Sequence, residues 1–158
     1  METEKNIEGL SGWLIFVGIG IVLSPLRIIA SMFPVYKEIF ENGSWQILTT
    51  PGTEAYNVFW APVLITEIGI NILLVATWIY IAYLFFAKKK LFPKIYIGVM
   101  IFTLVFILLD AFAIKIVLPN DPIFDKDTLK ELFRSIIASS IWIPYMLISK
   151  RVKATFTH

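Results

Sequence analysis

The chain has 158 residues, of which 58% are hydrophobic, 15% aromatic and 16% charged, and its mean hydropathy is +0.77. A soluble domain is nearer half apolar and a quarter charged, so a water-soluble fold this short would have nowhere to cover its apolar residues; one all-α polytopic membrane domain is expected. The formal charge of +2 is too small to argue for nucleic acid, and the absence of cysteine excludes disulfides, thiolate metal sites and cysteine nucleophiles.

A helix crosses the hydrocarbon core with about 20 residues at about 1.5 Å each. Met1 to Gly9 carries Glu2, Glu4 and Glu8 against Lys5, whereas a cleavable signal needs a basic start. The first span, about Gly12 to Phe33, is also too long for a signal core and reads as a retained anchor. Next comes an outer loop, Pro34 to Asn57, with turn signals at Asn42-Gly43 and Pro51-Gly52. Tyr36, Phe40, Trp45, Tyr56 and Trp60 suit headgroup depth, and a short amphipathic helix over Val35 to Phe40 is expected to lie on the membrane. The second span runs from about Val58 to Ala87, the third from Ile95 to Leu118 and the fourth from Leu129 to Ser149. Together they make a four-helix transmembrane bundle.

Basic residues in short loops set the orientation. The link between spans two and three holds Lys88, Lys89, Lys90 and Lys94, and the tail adds Lys150, Arg151 and Lys153. The link between spans three and four is acidic, with Asp121, Asp125, Asp127 and Glu131 against Lys126 and Lys130. Both termini and the lysine-rich hairpin are therefore expected in the cytoplasm. Besides the bilayer itself, anionic lipids are the expected partners of Lys88 to Lys90, Lys150, Arg151 and Lys153. Four helices are too few to enclose a wide pore, so a homo-oligomer is the expected form if a pore is needed.

The informative residues are the ionisable ones inside the spans: Arg27, Glu67, Asp110, Lys115 and Arg134. On insertion scales each costs roughly 2.5 to 3.5 kcal/mol at mid-membrane, so each must pair, snorkel or serve a function. At about 1.5 Å per residue from the outer span ends, Arg27 lies about 9 Å deep, Glu67 about 13 Å, Asp110 about 12 Å, Arg134 about 7 Å and Lys115 about 5 Å. All five fall in the outer half. Residues three, four and seven apart share a helical face. That spacing aligns Gly20, Ser24, Arg27 and Ser31 in span one, Glu67 and Asn71 in span two, Thr103 and Asp110 in span three, and Arg134 with Ala138 beside Ser135 and Ser139 in span four. Lys115 lies off the face of Asp110 and is expected to snorkel outward. Pro25 and Pro144 are candidate kinks. Trp13, Trp142 and Tyr145 read as packing or interface anchors.

Two readings stay open. In one, Arg27, Glu67, Asp110 and Arg134 form interhelical ion pairs that fix register, and the protein is structural or accessory. In the other they line an outward-facing pocket that binds or conducts a small charged solute. Arg27, Arg134 and Lys115 outnumber Glu67 and Asp110, which favours an anion. No metal-ligand cluster, nucleophile elbow or phosphate-binding glycine loop is present. Ser135 and Ser139 have no histidine to activate them, so neither catalysis nor a cofactor is expected.

The opening Gly9-Leu-Ser-Gly-Trp-Leu14, leading to Leu23-Ser24-Pro25, goes with a closing stretch from Arg134 through Ile141-Trp142-Ile143-Pro144-Tyr145 to Ser149-Lys-Arg-Val-Lys-Ala-Thr-Phe156. With Thr50-Pro51-Gly52 and the Glu67/Asn71 pair, the chain resembles the domain-of-unknown-function family 2569 over nearly its whole length. The closing segment is the most specific part. Ser11 stands where the family would usually show a glycine before Gly12-Trp13. The resemblance implies four spans in a bacterial inner membrane, and puts Glu67, Asn71, Arg134, Trp142 and Pro144 within the family pattern. It implies no substrate.

Overall fold

The computed structural model describes residues 8–158, and these contain helices and no strand. In chain order the helices are α1 (Trp13–Glu41), α2 (Ser44–Thr49), α3 (Trp60–Phe86), α4 (Phe92–Val117), α5 (Lys126–Ile148) and α6 (Lys150–Thr155). Four of them, α1, α3, α4 and α5, are long and apolar enough to cross a membrane. The acidic start, whose charges argue against a cleavable signal, lies mostly in residues 1–7, outside the described residues.

The largest departure from expectation is at the end of α1. The helix does not stop at Phe33 but runs through Pro34 to Glu41, so Val35 to Phe40 continues the first long helix instead of forming a separate surface helix. Proline removes one donor from a helix, and an otherwise continuous apolar segment tolerates that loss in a membrane protein. The loop that remains is short and folds into α2 and two turns. Thr53 Oγ1 ties them by donating to the carbonyls of Thr50 at 2.8 Å and Ile47 at 2.5 Å.

α1 packs on α3, α3 on α4, and α4 on α5. α1 and α5 face each other mainly through long side chains, including Trp13, whose ring meets Trp142 edge-on at 6.3 Å. The main core lies toward the lysine-rich end. Leu14, Val17 and Ile21 of α1 meet Ile81, Leu84 and Phe85 of α3, Phe92 and Tyr96 of α4, and Met146 of α5. Gly18 belongs to this buried face, because a Cβ there would stand 3.0 Å from the Phe85 ring. Small residues let helix backbones approach in this way where no hydrophobic force drives association. Gly20, expected to line the polar stripe contact, is exposed and faces open space; the contact glycine is its neighbour two positions earlier.

A second, smaller cluster at the opposite end joins Trp60, Leu64 and Val117, with Ile39, Trp45 and Leu48 against it. Between the two clusters packing thins. No residue of α1 beyond Ile21 is buried, nor any of α3 between Leu64 and Leu74. Outward-facing apolar side chains such as Ile19, Leu26, Ile72 and Phe102 form the lipid-facing surface.

Candidate functional site

Glu67 and Asn71 lie in the thinly packed level of α3, one helical turn apart, and Tyr36 reaches them from the unexpected extension of α1. The Asn71 side-chain amide donates to the Glu67 carbonyl at 2.9 Å and to the Tyr36 hydroxyl at 3.3 Å. The Tyr36 hydroxyl also interacts with the Glu67 carboxylate, and Asp110 of α4 lies within electrostatic reach of both Glu67 and Tyr36. Three helices thus converge on two half-buried carboxylates, an amide and a phenol. Among the described residues, no lysine or arginine nitrogen forms an ion pair with either carboxylate.

The cations are engaged elsewhere. Arg27 Nη2 lies 2.5 Å from Glu131 Oε1, and Arg134 Nη1 lies 3.6 Å from Glu131 Oε2. Both arginines therefore share one carboxylate, and it is neither Glu67 nor Asp110, the partners expected from depth. Glu131 belongs by charge to the acidic link, but in the fold it lies inside α5, three residues before Arg134. Lys115 Nζ donates to the carbonyls of Pro119 at 2.6 Å and Asp121 at 2.7 Å, which closes the end of α4.

The surplus of positive charge that favoured an anion is thereby spent within the protein. One carboxylate answers two arginines, backbone carbonyls answer Lys115, and the negative pair Glu67/Asp110 stands apart.

Tyr36 and Asn71 form the polar part of a groove of about 300 Å³ between α1 and α3, which Glu67 and Asp110 do not themselves line. The rest of its wall is apolar and includes Ile29, Met32, Phe33, Ile68 and Val75. Its α1 side follows the spacing Ile29, Met32, Phe33, Tyr36, one helical face. That periodicity is present in the sequence and runs across Pro34, a residue that ordinarily marks a helix end.

The hydroxyls of the expected stripes mostly turn back on their own helices. Ser24 donates to the Gly20 carbonyl at 2.7 Å, Ser31 to Ile28 at 3.0 Å and Thr103 to Val99 at 2.8 Å. Ser135 is half-buried next to Arg134, and Ser139, on the following turn, is buried with no hydrogen-bond partner for its hydroxyl. Trp142 packs edge-on against both Trp13 and Tyr145, the packing role expected of all three.

No curated protein and no solved structure matches this chain. The family model described as protein of unknown function (DUF2569) matches residues 7–157. The resemblance carried by the opening glycines and the closing arginine-to-phenylalanine stretch therefore extends over nearly the entire chain, and this multi-pass membrane protein belongs to the DUF2569 family.

Proposed function

We propose that the protein binds a small cation carrying an apolar body. The charge docks at Glu67 and Asp110, and the body lies in the α1/α3 groove. The observation that carries the reading is the carboxylate pair without a cationic partner, bordered by Tyr36 and Asn71 at the polar side of an apolar groove. Ionisable groups within a membrane domain are costly and persist where they pair or act. These two do not pair with a cation of the described chain. On this reading the protein is a non-enzymatic binding or transport protein of a bacterial inner membrane, with both termini and the lysine-rich end in the cytoplasm. The groove then opens in the outer half.

The test uses two probes of nearly equal shape and opposite charge. Tetraphenylphosphonium is expected to raise the thermal unfolding temperature of the detergent-solubilised chain, and tetraphenylborate to leave it unchanged. Glu67→Gln and Asp110→Asn are each expected to weaken the phosphonium effect about tenfold or more, the loss of one charge-assisted contact. Equal stabilisation by both probes, or variants that respond like the parent, would overturn the reading.

A second reading, a structural or accessory role, draws on a different observation. The Arg27–Glu131–Arg134 cluster bridges the α1/α5 seam, where backbones do not pack closely. It accounts for the arginines and leaves the carboxylate pair without a role.

A further inference from the structure

At the end of the bundle opposite α2, two basic segments distant in sequence are stitched together by backbone and rings. The His158 carbonyl accepts from Lys90 N–H at 2.6 Å, and His158 N–H donates to the Lys88 carbonyl at 3.4 Å. Phe156 stacks on Phe92 with centroids 4.4 Å apart and tilts against Phe85 at 5.8 Å. Thr155 exchanges hydrogen bonds with the backbone of Gly9, accepting at 3.0 Å and donating at 3.3 Å. The tail is thus docked, and its lysines are carried on a short helix fixed beside the α3–α4 turn.

That turn contains a second signal. α3 ends with Lys89 N–H donating to the Leu84 carbonyl at 2.9 Å and Lys88 N–H to Phe85 at 3.1 Å. This is the Schellman pattern, whose left-handed position is ordinarily glycine. Here the position is Lys88, with φ of 51°. A side chain in that region is strained, and such strain persists where the side chain has a use. Lys88, Lys90, Lys94, Lys150 and Lys153 are exposed, and none forms an ion pair with a described carboxylate.

We infer that the docked tail and the α3–α4 turn form a composite binding platform for anionic phospholipid headgroups. The chemistry recognised is a phosphodiester held at the membrane surface. Exposed lysines on two docked elements lie at one end of the bundle, and on this reading each contributes roughly fivefold in affinity for an anionic headgroup. What separates this platform from a scatter of orientation-setting lysines is its dependence on tail docking. This inference is independent of the cation site.

The test follows thermal unfolding of the full chain in neutral detergent with added phosphatidylglycerol, phosphatidylcholine or inorganic phosphate. Phosphatidylglycerol is expected to stabilise, and the other two are not. Phe156→Ala keeps every lysine but removes the ring that anchors the tail, and is expected to lose most of the preference for phosphatidylglycerol. Lys150→Gln with Lys153→Gln, which leaves packing intact, is expected to weaken it roughly fivefold per lysine. Lys88→Gly relieves the strained φ, so it is expected to be more stable in phosphatidylcholine and yet gain less from phosphatidylglycerol. Equal response to the two lipids, an undiminished preference in Phe156→Ala or in Lys88→Gly, or stabilisation by phosphate alone would each overturn the inference.

Discussion

Arg27 of α1 and Glu131 of α5 meet at 2.5 Å across the one side of the bundle where neighbouring helices do not pack backbone to backbone. Arg134 joins the same carboxylate from one turn further along α5. One anion thus serves two cations, and the three residues are not equivalent. Removing Arg27 leaves a Glu131–Arg134 pair that is locally neutral. Removing the Glu131 charge leaves two arginines without their shared counter-ion.

Glu131→Gln is therefore expected to destabilise more than Arg27→Met, by up to about 1 kcal/mol, the range for ion pairs between half-exposed side chains. The double variant Arg27→Met with Glu131→Gln should recover part of that loss, because one of the stranded cations is gone. A double-mutant cycle read by chemical or thermal unfolding in detergent gives the coupling directly. Additive single effects would show that the 2.5 Å contact carries no coupling.

The spans were legible because lipid imposes a coarse rule: about 20 apolar residues with every backbone group bonded inside the segment. The partners of the charges were not legible by the same logic. Depth was counted from assumed span ends, and Pro34 put the end of α1 eight residues before Glu41, where the helix stops. That displaced Tyr36 from the site to the membrane surface. Glu131, which falls with the acids of the third link by its charge, is by spacing a helical i,i+3 partner of Arg134. Gly18 and Gly20 show a further limit. Hydropathy cannot tell which of two nearby glycines meets an aromatic ring and which meets lipid. The Glu67/Asn71 face was readable from spacing alone, because both residues lie on one uninterrupted helix.

The two glycines give a paired prediction. Gly18→Leu must displace Phe85, whose own ring is 2% exposed and held by Phe92 and Phe156. Overpacking of this kind is expected to cost about 1 to 3 kcal/mol. Gly20→Ala meets nothing within 4 Å and is expected to be neutral or stabilising by up to about 1 kcal/mol through helix propensity. Thermal unfolding of both variants in the same detergent decides it. Equal effects would mean that the α1/α3 approach at Gly18 is not tight.

Tyr36→Phe separates the groove from the fold. The ring stays, so packing is retained, but the hydroxyl that accepts from Asn71 at 3.3 Å and interacts with Glu67 is lost. Stability is expected to change by less than about 1 kcal/mol, whereas binding of tetraphenylphosphonium should weaken about twofold to tenfold, the worth of one ordinary hydrogen bond. Unchanged binding would remove Tyr36 from the site and leave Glu67, Asp110 and Asn71 as its polar contacts.

Asp125 offers a test that lies outside the spans. It is the N-cap of α5, and its carboxylate accepts from Thr128 N–H at 2.7 Å. That backbone hydrogen bond, supported by a further one from Asp127, holds its pKa below the ordinary aspartate value. A group with a depressed folded pKa stabilises the fold above its unfolded pKa, near 4, and the contribution fades as pH falls through the folded value. Asp125→Ala is accordingly expected to cost about 0.5 to 2 kcal/mol at neutral pH, as for other lost caps. The gap between parent and variant should stay constant from pH 7 down to about 5 and then narrow on further acidification. Unfolding temperatures of both proteins measured across that range check the sign: a gap that widens toward acid would mean that protonated Asp125, not its carboxylate, is the form the helix end prefers.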